Sequence, residues 1–186
     1  MAKLNVGIVG AGRVANLHAL GYADNPQAEI VAVCDQNEDR AISRSLDWGA
    51  SSYYTDYGQM LDQEDLDAVE VLTPNHLHHK QALQAIVSGH HVSIERPIAT
   101  TIAQADEVIE TADKAGRVLQ VYEPCLFHKP LLDARNLMDA GEIGEPKAVR
   151  LSANVSTATS GVWDFRNIGA DRWRFEEQLV PERTEY

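Results

Sequence analysis

Gly10-Ala11-Gly12-Arg13-Val14-Ala15 follows an apolar run, Val6-Gly7-Ile8-Val9, and opens a helical pattern at Arg13. A second β-like run, residues 30–34, ends at Asp35. Strand, glycine turn, helix, strand and terminal acid form the layout of a dinucleotide-binding βαβ unit. Gly10 permits the tight turn. Gly12 lets the backbone approach a pyrophosphate with no Cβ between them, and Ala15 is small enough for close helix–sheet packing. The start of the helix offers amide N–H groups to phosphate. Asp35 has the position to accept hydrogen bonds from the adenosine ribose, or to cap the next helix, or both. A 2′-phosphate would meet its like charge, so NAD is expected over NADP, with Arg40 and Arg44 nearby as complications.

Outward from this unit, the pattern alternates. Strand 4–9 and helix 13–22 are followed by strand 30–34, helix 38–48, a short strand at 53–54 and a short helix at 57–61. Then come strand 68–72, helix 77–87 and strand 91–94. A helical stripe runs through Ile102, Ala105, Val108, Ile109 and Ala112, with capping-box spacing at Thr101 and Gln104, and strand 118–122 closes the series. Near-continuous apolar strands alternating with helices predict an α/β, doubly wound parallel sheet covered on both faces. This domain is expected over 1–122. Residues 123–186 read differently, with a helix near 131–138 and then a cleanly alternating strand at 147–155, which is the mark of a half-buried antiparallel strand.

Composition narrows the function. The 186 residues carry a formal charge of −12, which argues against a nucleic-acid backbone or an anionic membrane as partner. No apolar run reaches membrane-spanning length. Met1-Ala2-Lys3 leads directly into the first strand, so the expectation is a cytoplasmic protein. Cys34 and Cys125 have neither disulfide-framework nor metal spacing. His76, His78 and His79 lack a completing carboxylate or thiolate, so no metal is expected. Two polar stretches lie at the C-terminal ends of strands, where open α/β sheets bind ligands. They are Thr73-Pro74-Asn75-His76-Leu77-His78 and Glu95-Arg96-Pro97. The second sets a carboxylate beside a fixed cation, suited to orienting a polar substrate and the nicotinamide.

Together these pieces resemble the Gfo/Idh/MocA family of NAD(P)-dependent oxidoreductases. The resemblance rests on Gly10 to Ala15, Tyr54-Thr55-Asp56-Tyr57 with Met60-Leu61, Asp67-Ala68-Val69, Thr73-Pro74-Asn75 with His78, Gly89-His90-His91-Val92, Glu95-Arg96-Pro97-Ile98-Ala99 and Gly141-Glu142-Ile143-Gly144. It implies a Rossmann domain followed by an α/β domain on an open, mostly antiparallel sheet. It also implies hydride transfer between the nicotinamide and a hydroxyl-bearing carbon of a sugar or polyol. On this resemblance Gly10, Gly12, Arg13, Val14 and Asp35 would hold adenosine and pyrophosphate. Thr73, Asn75, His78, Glu95 and Pro97 would line the nicotinamide side.

Two departures stand out. The family carries Lys where this chain has Arg96; a guanidinium can bind the reacting oxygen but is a poor proton shuttle. After Trp173-Arg174 the family continues into a Gly-rich stretch and an Asp/His acid–base motif. Here Phe175-Glu176-Glu177-Gln178-Leu179-Val180 follows and the chain reaches Tyr186. The expectation is a shortened second domain without that motif, in an oxidoreductase of this type that is either active or inactive, with a noncatalytic dinucleotide-binding module or assembly partner as the alternative. A lone strand at 147–155 needs partners, which leaves three outcomes open: the residues beyond about 146 are disordered, the strand pairs with another protomer, or the chain is the product of a truncated or frameshifted gene.

Overall fold

The computed structural model describes residues 3–150. One compact unit reaches Tyr122, and another begins at Glu123. The first unit contains β1 (Leu4–Val9), α1 (Arg13–Leu20), β2 (Ala28–Cys34), α2 (Glu38–Trp48), β3 (Ser52–Tyr54) and α3 (Tyr57–Gln63). It continues with β4 (Ala68–Val71), α4 (Asn75–Val87), β5 (His91–Glu95), α5 (Ile102–Ala115) and β6 (Leu119–Tyr122). The six strands are all parallel, in the order β3-β2-β1-β4-β5-β6. This is the doubly wound Rossmann arrangement. The strand order reverses between β1 and β4, and the crevice at that point opens at the C-terminal ends of the strands.

Alternating side chains divide the core between the two faces. Ile8, Ile30 and Val33 pack with Ala11, Ala15 and Ala19 of the glycine loop and α1. Val9, Val69, Val71, Val92 and Ile94 pack on the other face against Met60 of α3, Ile86 of α4 and Val108 of α5. Along β2 the alternation breaks. Val6 pairs with Ile30, but Gly7 pairs with Ala32, leaving Val31 as an extra residue. This bulge puts Ile30 and Val33 on one face and Ala32 and Cys34 on the other. The sequence pattern 30–34 alone does not reveal it.

In the first unit, helix starts follow side-chain chemistry except at two places. Asn37 caps α2 by accepting from the Arg40 N–H, Asp56 caps α3 through Gln59, and Thr101 caps α5 through Gln104. The capping box at Thr101 is half made, because the Gln104 side chain pairs with the Thr100 hydroxyl. By contrast α1 starts at Gly12 and α4 at Pro74, each without a side-chain cap. These two uncapped N-termini follow β1 and β4, the strands on either side of the crevice. Gly49 and Gly116 end α2 and α5 in the left-handed conformation, at φ 73° and 63°.

Several expected boundaries move. α1 ends at Leu20 rather than at 22, and α4 begins at Asn75, two residues before the first apolar periodic position. In the second unit a 3₁₀ turn, Pro124–Phe127, precedes α6 (Lys129–Asp139), which is longer than the expected 131–138. Residues 147–150 are irregular, and the rest of the expected strand 147–155 lies outside the described residues, as do Trp173-Arg174 and the segment after them.

Candidate functional site

The glycine loop joins the end of β1 to the start of α1. Gly10 has φ +92°, and a Cβ there would lie 2.6 Å from the Leu72 carbonyl oxygen. Its N–H donates to the Cys34 carbonyl at 2.9 Å. Gly10 is thus demanded by the protein's own packing between β2 and the end of β4. Gly12 is the opposite case. Its φ of −76° suits any residue, and a Cβ there would meet nothing within 4 Å. The fold does not need glycine at this position, and the space beside the uncapped helix start is open. Arg13 and Val14, next along the helix, are half-buried, while Ala15 is buried against the sheet.

Asp35 sits at the C-terminal end of β2, 6% exposed. Its carboxylate accepts from the Ala11 N–H (2.9 Å), the Asn37 N–H (2.9 Å) and the Arg40 guanidinium (3.2 Å to one oxygen). It therefore fixes the glycine loop from below. It is not the cap of α2, a role the structure gives to Asn37. Arg40 is about half exposed, so its guanidinium reaches the Asp35 carboxylate from the solvent side. Asp35→Ala is expected to weaken NAD roughly 10- to 100-fold, the worth of a charge-assisted hydrogen bond. It should also raise the NADP-to-NAD affinity ratio, since Arg40 is then released to a 2′-phosphate; titration with both nucleotides checks this.

The second edge is built from the loops after β4 and β5. His78 is fully buried in α4, with Nδ1 2.6 Å from the Pro97 carbonyl oxygen and Nε2 2.7 Å from the Thr73 carbonyl oxygen. It clasps the two loops together, so its ring is spent inside and is not presented to a ligand. Thr73 donates its hydroxyl to Gln81. Asn75 is half-buried at the first residue of α4. Glu95 ends β5, and Arg96 and Pro97 beyond it are exposed, joined by a cis peptide bond. Burial lifts the Glu95 carboxyl above the usual glutamate range, while His18, Arg96 and His78 pull it the other way.

The three clustered histidines part company in the fold. His76 is exposed, His78 is the internal clasp, and His79 pairs with Glu107 of α5 at 2.8 Å. Among the described residues no group of three His, Cys, Asp or Glu side chains could hold a metal ion. A cavity of about 730 Å³ is lined by residues such as Leu17, Leu20, Tyr22 and Trp48. It includes Lys3 and Glu29 at the N-terminal ends of the strands, and neither Gly12 nor Asp35 lines it.

One group escaped the sequence reading. Glu70, buried in β4, accepts from the Tyr22 hydroxyl at 2.7 Å and lies 3.1 Å from Nδ1 of His18. Burial first and Glu70 second push the Tyr22 phenol well above its ordinary range. A signal was available. A charge in the middle of strand 68–72, on a sheet covered on both faces, must have a partner, and His18 and Tyr22 stand four apart on one helical face.

Comparison with known proteins accounts for this layout. The family model described as "Oxidoreductase family, NAD-binding Rossmann fold", of the Gfo/Idh/MocA group, matches residues 4–123. D-glucoside 3-dehydrogenase of Escherichia coli is 38% identical over 148 residues, covering 77% of this chain and 41% of the relative. Inositol 2-dehydrogenase of Salmonella typhimurium is 33% identical over 150 residues, covering 78% and 44%. The solved scyllo-inositol dehydrogenase of Lactobacillus casei, with bound NAD(H) and scyllo-inositol, superposes with a TM-score of 0.73 at 25% identity, covering 77% of this chain and 43% of that one. The chain thus matches less than half the length of these relatives. No helix among the described residues is long and apolar enough to cross a membrane. With the matched fold, the open glycine position and the acid after β2 in place, the chain belongs to the Gfo/Idh/MocA family of oxidoreductases with an NAD-binding Rossmann fold.

Proposed function

We propose that this chain holds NAD for hydride exchange with a hydroxyl-bearing carbon of a sugar or polyol. The observation that carries the reading is the open space over Gly12, at a helix start with no side-chain cap. There the pyrophosphate can lie against backbone amides, within reach of the α1 N-terminus. Gly10, Gly12, Arg13 and Val14 form that cradle, and Asp35 takes the adenosine ribose. NAD supplies the hydride-accepting ring. Thr73, Asn75, Glu95 and Pro97 edge its nicotinamide side, with His78 holding their loops in register. The polyol class draws support from the glucoside and inositol dehydrogenases among the relatives.

Arg96 stands at the ring end of this path and is exposed to substrate. Its guanidinium is suited to binding the reacting oxygen, and it stays protonated at any working pH, so the proton must go to another group. That property also favours a second reading, a module that binds the dinucleotide without turning it over. Two measurements separate them. Reduction of NAD with myo-inositol or a glucoside, followed by absorbance, supports the dehydrogenase. NADH fluorescence that reports binding with no turnover on any polyol supports the module. On the dehydrogenase reading Arg96→Lys, which restores a group able to exchange its proton, should raise turnover at high pH by about 10-fold or more, within the range of general acid–base effects.

A further inference from the structure

His18 lies where a structural histidine has little reason to be. Its side chain is 4% exposed. Nδ1 faces Glu70 on β4, and the ring stacks, tilted by 52°, on Tyr122 of β6 with centroids 4.3 Å apart. β5 runs between those two strands, so the imidazole spans it. Glu95 is the β5 residue in register with Tyr122, and Ser93 is in register with Glu70. Glu95 therefore shares the face that His18 covers.

Both residues keep one buried atom without a hydrogen-bond partner, Nε2 of His18 and Oε2 of Glu95. The chemistry of the cluster says which kind of atom each is. Glu70 accepts from the Tyr22 hydroxyl with one oxygen, so its other oxygen is there to take the Nδ1 proton of His18. That fixes the tautomer and leaves Nε2 of the neutral ring as a bare lone pair. The two atoms are not in hydrogen-bonding contact with each other, so a single water bridging them, with one proton on the carboxyl or the imidazole, satisfies both orphans at once. Burial raises the Glu95 carboxyl above its ordinary value, with His18, Arg96 and His78 acting the other way.

We propose that His18 and Glu95 share a proton through a bridging water, in a cluster locked by Glu70 and Tyr22, and that this pair gives up its proton when oxidised cofactor binds. The inference rests on the reading that the nicotinamide lies at the Glu95 edge. The ring of NAD⁺ is positively charged and that of NADH is neutral. A cation at this edge favours the Glu95 carboxylate; the proton leaves to solvent, His18 remains neutral, and Glu95 holds the charge. Other groups act on the pair. Glu70 from β4 and Arg96 next in the chain are fixed charges, Tyr22 and Tyr122 are phenols, and His78 faces Glu95 from α4. None of these differs between the two redox forms of the cofactor. His18 is in this account a positioning residue and proton partner.

The sign follows. The free pair binds a proton that the NAD⁺ complex does not, so affinity for NAD⁺ rises with pH until the free pair is deprotonated. Each unit by which binding lowers the pair's pKa is worth about tenfold in affinity. NADH affinity should stay flat over the same range. Calorimetry of the full chain, titrated with NAD⁺ and NADH in two buffers of different ionisation heat, reads the protons released directly. Expected is release approaching on the order of one proton with NAD⁺ and near none with NADH, and loss of the NAD⁺ release in His18→Gln. Equal release for both redox forms, or undiminished release in His18→Gln, overturns the pair while leaving the cofactor site standing. The wild-type comparison of the two nucleotides decides the matter even where the variant does not fold. Failure of both nucleotides to bind overturns the cofactor reading and this inference with it.

Discussion

Gly12→Asp should abolish NAD binding and leave the fold untouched. The backbone at Gly12 is extended, at φ −76° and ψ −165°, and the space its side chain would enter holds no protein atom within 4 Å. Aspartate is moreover among the best residues at a helix N-cap, so folding stability should hold or rise by a few tenths of a kcal/mol. The cost falls on the ligand alone. A carboxylate about 4 Å from a phosphate charge costs roughly 4 kcal/mol at an effective dielectric constant near 20, which is on the order of 1000-fold in affinity. Gly12→Ala separates bulk from charge; it should fold equally well and bind less tightly than the parent, though tighter than the aspartate variant. The measurements are a thermal melt and an NADH fluorescence titration on each protein. A melt unchanged with affinity also unchanged would remove the pyrophosphate from this loop. A collapsed melt would show that the glycine serves the protein and not the ligand.

Gly10→Ala should do the reverse, damaging the fold before any question of binding arises. Alanine at φ +92° is strained, at about 1–3 kcal/mol. Its methyl would also lie 2.6 Å from the Leu72 carbonyl oxygen and 2.8 Å from Cγ2 of Thr73. Backbone cannot yield there as the tip of a long side chain could, because β4 is paired on both sides. Overpacking adds about 1–3 kcal/mol more. At about 2–4 °C per kcal/mol for a chain of this size, a fall in melting temperature of roughly 4–24 °C is expected. A melt within a degree or two of the parent would refute the assignment of Gly10 to packing. The two glycines of one short motif thus divide its work, and the pair of melts and titrations tests that division.

Most of the framework was legible because its determinants are local. The apolar runs, the glycines that stop α2 and α5, and the caps Asp56 and Thr101 each act within a few residues of themselves. Even so, the residue sequence left open whether Asp35 caps α2. Asp35 and Asn37 both suit the role by type, and the choice falls to Asn37 because Asp35 is occupied by the Ala11 amide from β1's loop. The bulge at Val31 was invisible for a related reason. The register of β2 is set by its neighbour β1, and nothing in the run 30–34 records it. His78 was expected at the ligand and is instead fully buried between two loops. Its residue type suits either place, and only the approach of Pro97 to Thr73 distinguishes them.

Read alone, the order of residues determined the doubly wound sheet, the glycine turn and the acid after β2, since periodicity and turn chemistry are properties of neighbouring positions. Tertiary structure decided what each polar group is for. It joined His18, Tyr22 and Glu70 from α1, its end and β4, put Glu95 on the same face, and tied the Asp35 carboxylate to the loop it supports. A buried polar group takes its role from the partners it meets, and those partners lie 24 to 52 residues away along the chain.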